Sequence, residues 1–422
     1  MVLVELKVNE GWSLECFVCG RAFEEDVTSF LCPSCGGLLQ LIKTSHLDVD
    51  ALFPRNEGRL TLWRYRRALP FDEGVEPVTL GEGGTGLVRS VHIGKGLGMN
   101  ELFIKYEGQN PTGSFKDRGM TVAVTRARQS GAKVLICAST GNTSASLAAY
   151  SARAGLRSAV VVPHGKVASG KLAQAVAHGS EVLIVKGDFD FALSMTMEFA
   201  ASDRSFYLMN SLNPYRIEGQ KTVAFEIFEQ LGNLVPDYIV LPVGNAGNIS
   251  AIWKGFKELK AWGIADRTPK MIGVQAAGAS PIAEAYAKGS NVISRWEKPS
   301  TIATAIRIGN PVSWMKALAA IRESRGMAMA VTDEEILVAK KMLASKEGLL
   351  VEAASAAPIA ALNHLAPQLE AGALVVCIAT GHGLKDQTDF QPSLLDAPIY
   401  QDKEQVLAAL KRISAFDTEI TR

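Results

Sequence analysis

Val134-Leu-Ile-Cys-Ala-Ser-Thr-Gly-Asn142 decides how the chain folds. An aliphatic run meets a turn of Ser, Thr, Gly and Asn, and a small-residue helix follows through Ala154. A buried strand that feeds straight into a helix is half of a βαβ unit. The same alternation recurs on both sides. Apolar runs fall at 102–105, 134–138, 158–163, 181–185, 205–210, 238–243, 271–276 and 373–380. Helix-spaced segments fall at 115–129, 142–155, 166–179, 189–201 and 216–231. This pattern predicts an α/β fold with mostly parallel sheets. No internal repeat or low-complexity tract interrupts it.

In such sheets ligands gather where parallel strands end, and four strand-end turns here carry chemistry. The first, Ser139 to Asn142, offers backbone N–H groups and short polar side chains either to an anion or as a plain helix cap. The Asn142 carboxamide suits a phenolic oxygen, because it brings no charge. The second, Asn110-Pro-Thr-Gly-Ser-Phe-Lys-Asp-Arg-Gly119, presents Lys116 at the start of a helix that Thr112 or Ser114 is placed to cap. An amine in a dry pocket condenses with an aldehyde cofactor, whereas an isolated lysine at a helix start is usually solvated. The third, Gly244-Asn-Ala-Gly-Asn248, precedes a helix expected to begin at Ile249 or Ser250 and makes a phosphate cradle. It is neither a Walker loop nor a dinucleotide fingerprint. The fourth ends at Thr380, whose hydroxyl can face a pyridine nitrogen without forcing charge on it. His382, between two glycines, reads as a turn residue and is left unassigned.

Together these turns resemble the tryptophan-synthase-β-like, fold type II family of pyridoxal-phosphate enzymes. The likeness runs from about Leu80 to beyond His382 and includes Asn210-Ser-Leu-Asn-Pro-Tyr-Arg-Ile-Glu-Gly-Gln-Lys-Thr222 and Ala379-Thr-Gly-His-Gly-Leu-Lys385. It implies two open parallel-sheet α/β domains with pyridoxal 5'-phosphate in the cleft between them. Residues 46–111 and 223–422 would form the large domain, and 112–222 the smaller, inserted one. Lys116 would carry the cofactor and move protons, with Asn142, Gly244, Asn245, Ala246, Gly247, Asn248 and Thr380 around it. Substrate contacts would come from Thr112, Ser114, Ser139, Thr140, Thr143, Asn210, Ser211 and Arg216. Arg216 is the strongest of these, since a guanidinium forks onto phosphate oxygens; without its neighbours it would read as an exposed charge. Gln275 and Lys221 are weaker candidates for the lining.

The implied reaction turns O-phospho-L-homoserine and water into L-threonine and phosphate. Its rivals are a threonine or serine dehydratase, a phosphoserine-dependent β-replacement synthase, and a non-enzymatic interaction module on a degenerate body. One departure from the family pattern is Gly86 in Gly81-Glu-Gly-Gly-Thr-Gly-Leu87, which is expected to loosen that loop.

The 422 residues carry a formal net charge of +1, which argues against nucleic acid or membrane as the main partner. The start of the chain lacks a signal pattern, and no apolar span suits a bilayer. A cytoplasmic location follows as the simplest expectation, with a small phosphorylated amino acid as partner and, by family likeness, a homodimer. Cys16-Phe-Val-Cys19 and Cys32-Pro-Ser-Cys35 form two CxxC knuckles in a zinc-ribbon-like module, residues 1–45. Structural zinc is favoured there over two disulfides or a metal-free relic. From Gly11 to Gln40 the only fixed positive charge is Arg21, against Glu15, Glu24, Glu25 and Asp26, so a packing role suits the module better than nucleic-acid binding. Cys137 and Cys377 read as core residues.

Overall fold

Aliphatic runs become strands, and the Gly/Asn turns after them become helix starts. The computed structural model describes residues 11–23, 30–54, 60–164, 169–386 and 398–416. Near the N-terminus β1 (Trp12–Cys16), β2 (Ala22–Phe23) and β3 (Leu39–Lys43) pair antiparallel in the order β2-β1-β3. Glu24, Glu25 and Asp26 of the expected ribbon lie outside the described residues. Next, β4 (Leu87–Arg89) and β5 (Leu102–Tyr106) open a larger sheet.

Before that sheet is completed, β6 (Val134–Ala138), β7 (Arg157–Pro163), β8 (Glu181–Val185) and β9 (Phe206–Leu208) build a second one. It is wholly parallel, in the order β8-β7-β6-β9. The chain then returns with β10 (Tyr238–Pro242), β11 (Lys270–Ala276), β12 (Met327–Val331) and β13 (Val375–Ala379). The larger sheet reads β12-β11-β10-β13-β5-β4 and is parallel except where β4 meets β5. Every residue of β10 and β13 is buried, as strands covered on both faces require. The expected α/β class, with two open parallel sheets and a small Cys-bearing module, is what the chain adopts.

Several helix starts differ from the sequence reading, each for a local reason. The helix Pro214–Gln230 begins ahead of Arg216, because the Asn213 side chain caps it and Pro214 fits the first turn. The helix Gly247–Ala261 begins ahead of Ile249, because Ala246 adopts a left-handed φ of 67° that closes the turn early. The helix Lys116–Gln129 has no side-chain cap from Thr112 or Ser114. Instead Asp117, inside the helix, reaches back and accepts the Thr112 hydroxyl at 2.6 Å and its N–H at 2.7 Å. The expected helix start at Lys166 lies outside the described residues, and the helix there spans Ser169–Ala177.

Lys116–Gln129 and Pro214–Gln230 cross at two glycines. A Cβ on Gly219 would sit 1.9 Å from the Arg118 carbonyl oxygen, so only glycine allows this approach. The contact brings the start of one helix, with Lys116, beside the start of the other, with Arg216. Position 222 lies inside the second helix. The Gly86 loop is pinned rather than loose: Gly83, Gly84 and Gly86 donate to Asn110, Glu226 and Gln109. The chain forms two compact units, Met1–Lys385 and Asp386–Arg422, the latter containing the helix Lys403–Phe416. Among the described residues no helix is long and apolar enough to cross a membrane.

Candidate active site

Backbone hydrogen bonds stitch the Lys116 turn to the end of β13. Phe115 N–H donates to the Thr380 carbonyl at 3.0 Å, and His382 N–H to the Gly113 carbonyl at 2.9 Å. Glu352 N–H donates to the Gly381 carbonyl at 3.0 Å, adding a third segment. The Thr380 hydroxyl is fixed by Ser355 Oγ at 2.9 Å, which itself accepts Gly381 N–H at 2.8 Å.

A cavity of about 790 Å³ opens over this junction. Its wall gathers Lys116, Ser139, Thr140, Asn142, Thr143, Asn210, Ser211, Arg216, Gly244, Asn245, Ala246, Gly247, Asn248 and Thr380. Thr112 and Ser114 are not on the wall: the Thr112 hydroxyl is spent on Asp117, and the Ser114 backbone bridges to Gly381. The Asn210 side chain exchanges two hydrogen bonds with the backbone of Ala138, at 3.0 and 2.9 Å, and so ties the ends of β6 and β9 together. Gln275 is occupied with Val243, Ile282 and Ala283, and Lys221 pairs with Glu218 and Glu258; neither lines the cavity. His382 sits in a turn, its Nδ1 accepting Leu384 N–H at 3.1 Å.

Two cations share this cavity with little compensation. Burial pulls the Lys116 amine down to about 7, helped by the Arg216 guanidinium and opposed by Glu352. Burial also pulls Arg216 down to about 10, and its Nη1 donates to the Met209 carbonyl at 2.9 Å. On the cavity wall lie residues with buried polar atoms without a partner: Asn142 Oδ1, Arg216 Nε, Gln220 Oε1 and both amide atoms of Asn248. Each orphan costs about 1–3 kcal/mol in a finished core, so a group of them around one cavity is the mark of a ligand. The helices Asn142–Ala154 and Gly247–Ala261 also start without a side-chain cap, which leaves their first N–H groups for an anion. These donors fit a phosphate beside the Gly/Asn turn, a ring nitrogen at Thr380 and an aldehyde at Lys116.

The profile of the pyridoxal-phosphate dependent enzymes matches residues 78–381. The chain belongs to this family. It is 54% identical to the threonine synthase of Methanocaldococcus jannaschii over 88% of its own length and 92% of that protein's. With the threonine synthase of Methanosarcina acetivorans it shares 50% identity over 95% of its own length and 100% of the relative's. Among solved structures, maize serine racemase superposes with a TM-score of 0.64 at 22% identity, covering 74% of this chain and 92% of that one, a likeness of fold.

Within this pyridoxal-phosphate enzyme, three features of the cavity were not foreseen in the sequence. Glu352 accepts the Asn142 Nδ2–H at 2.8 Å, and Gly381 makes room for it, since a Cβ there would meet Glu352 Oε1 at 2.4 Å. A single acid in the apolar run Leu349-Leu-Val-Glu-Ala-Ala-Ser355 was the available signal. Gln220, one helical turn beyond Arg216, also lines the wall. At the mouth, Arg295 pairs with Asp190 at 3.0 Å, and no periodicity marks that loop.

Far along the chain from these residues, the sulfur atoms of Cys16, Cys19, Cys32 and Cys35 lie within 4.8 Å of one another. The pairs across the knuckles are 3.5 Å (Cys16 to Cys35) and 3.7 Å (Cys19 to Cys32), and none of the four is in a disulfide. Zinc–sulfur bonds of about 2.3 Å make a tetrahedron with edges of roughly 3.8 Å. The thiols fit such an ion.

Proposed function

We propose that this chain is a threonine synthase, converting O-phospho-L-homoserine and water into L-threonine and phosphate, the last step of threonine biosynthesis. The 50% identity with a threonine synthase across that protein's whole length carries the reading. The cavity supports it, because Arg216 adds a second cation where a dehydratase on this fold needs no second phosphate pocket. When bound, pyridoxal phosphate supplies an aldehyde for amines and a ring that draws electrons from the substrate.

Lys116 would hold the cofactor and, once a free amine, would take the proton from Cα and move protons at Cβ and Cγ. An amine near 7 is poised to do both at neutral pH. Thr380 would face the ring nitrogen, Asn142 the phenolic oxygen, and Gly244, Asn245, Ala246, Gly247 and Asn248 would hold the cofactor phosphate. Arg216 binds the substrate phosphate and keeps it on one side as its bond to Cγ breaks. Ser211 and Thr143 join it, while Ser139 and Thr140 take the α-carboxylate. Residues 112–222 close over the bound substrate and exclude water until it is needed at Cβ. The four cysteines hold a structural zinc. A cytoplasmic homodimer completes the proposal, on family likeness.

Supplying phosphohomoserine, phosphoserine and threonine separately tests this reading, with phosphate release and keto-acid formation followed in parallel. Phosphate and threonine should appear from phosphohomoserine alone. Keto acid from threonine, or phosphate from phosphoserine at a comparable rate, would overturn it in favour of the dehydratase or the replacement synthase.

A further inference from the structure

The cysteine module is packed against the segment that carries Arg216. Leu14, Phe30, Leu39 and Leu41 of the module share one core with Met209, Leu212 and Tyr215. The Phe30 ring meets Tyr207 edge-on with centroids 5.5 Å apart. Cys16 pairs with Leu39 in the β1–β3 ladder, and the Leu39 carbonyl accepts Lys316 Nζ at 3.1 Å. The Leu41 carbonyl accepts Lys254 Nζ, and the Trp12 ring faces Lys221 Nζ at 5.0 Å. Lys221 stands on the same helix as Arg216.

This packing reaches the cavity through two short links. The buried Met209, inside the shared core, offers its carbonyl to Arg216 Nη1 at 2.9 Å. One residue on, Asn210 is tied to Ala138 by its paired hydrogen bonds. Whatever presses on Tyr207 and Met209 therefore sets where Arg216 points. Among the described residues the module has three short strands, and a structural metal would fix the knuckles that its share of the common core does not cover. Four zinc-bound thiolates also carry a net charge of about −2, which suits a face where Lys221, Lys254 and Lys316 approach the aromatic rings of Trp12 and Phe17.

We infer that the tetrathiolate metal site braces the Tyr207-to-Arg216 segment, so that zinc occupancy sets affinity for the substrate phosphate without setting cofactor retention. The inference rests on the zinc and threonine synthase readings above. Zinc content of the purified enzyme is measured first. Zinc-loaded enzyme is then compared with enzyme carrying Cys19→Ser and Cys35→Ser, by KM for phosphohomoserine, cofactor absorbance and hydrogen exchange at residues 206–216. Loss of the brace should raise KM roughly tenfold, the worth of one misplaced charge-assisted hydrogen bond, and should speed exchange at 206–216 while the cofactor stays bound.

Lys316→Met, which spares the thiols, should shift KM and exchange in the same direction with full zinc. It also covers the case in which the double variant fails to fold. No zinc in the native enzyme overturns the inference at its metal. Zinc present, with KM and exchange unchanged in both variants, overturns the brace and leaves the metal site standing. Phosphohomoserine not being a substrate would sink the threonine synthase reading instead, and the exchange data would still decide the brace.

Discussion

Two clusters of buried charge sit within a turn of each other on the crossed helices, and they are built on opposite rules. In the first, Arg118 forks onto Glu107 and Glu226, and Lys105 joins Glu226 at 2.8 Å. Thr85 and Gln230 satisfy what remains. Two cations meet two carboxylates, all of them fully buried. In the second cluster Lys116 and Arg216 face one cavity, and among the described residues neither forms an ion pair with a carboxylate. The closed network holds the helices together at Gly119 and Gly219, whereas the open one is left for anions to complete. Burial alone does not mark a functional charge; burial without compensation does.

Replacing Lys116 with Ala should break the open cluster most severely, lowering turnover by at least about 10³-fold and removing the visible absorbance of bound cofactor. A variant that kept both would deny that cluster its function. Next comes the closed cluster. Arg118→Met leaves two carboxylates buried and short of a cation, and should cost about 3–5 kcal/mol of stability, read as a large fall in Tm. By contrast, Arg216→Ala should leave Tm nearly unchanged and raise KM for the phosphorylated substrate roughly 10- to 100-fold with cofactor retained. Equal loss of Tm in the two variants would erase the distinction between them.

The smallest effects are pH shifts, and their signs oppose. Lys116 must be neutral to act as a base, so the rate should climb as pH rises through about 7. Arg216 depresses this amine, and removing it should move that limb to higher pH. Glu352 supports the charged amine, so Glu352→Gln should move the limb to lower pH. Shifts of the same sign in both variants, seen in kcat profiles, where Lys116 acts as a free amine, would show that the limb does not report Lys116.

Most of the strand positions in the two parallel sheets followed from aliphatic runs punctuated by Gly, Asn and Pro, because strands buried on both faces leave a continuous apolar signature. Helix starts were read two or three residues late where an unusual residue made the turn, namely Ala246 in a left-handed conformation and Asn213 as a side-chain cap. At the site, the Gly- and hydroxyl-rich turns were legible because close backbone approach demands small residues. Glu352 was not, since its partner Asn142 is 210 residues away and a lone acid in an apolar run has no period. Glu107 and Glu226 were equally hidden: charged residues normally read as solvated, and only the fold shows that Arg118 neutralises both.

Reduction of the holoenzyme with borohydride, followed by peptide mapping, tests the open cluster most directly. A pyridoxyl group fixed on Lys116 alone is the predicted result. Finding it on Lys105, Lys221 or any other lysine, with Lys116 unmodified, would contradict this account of the cavity.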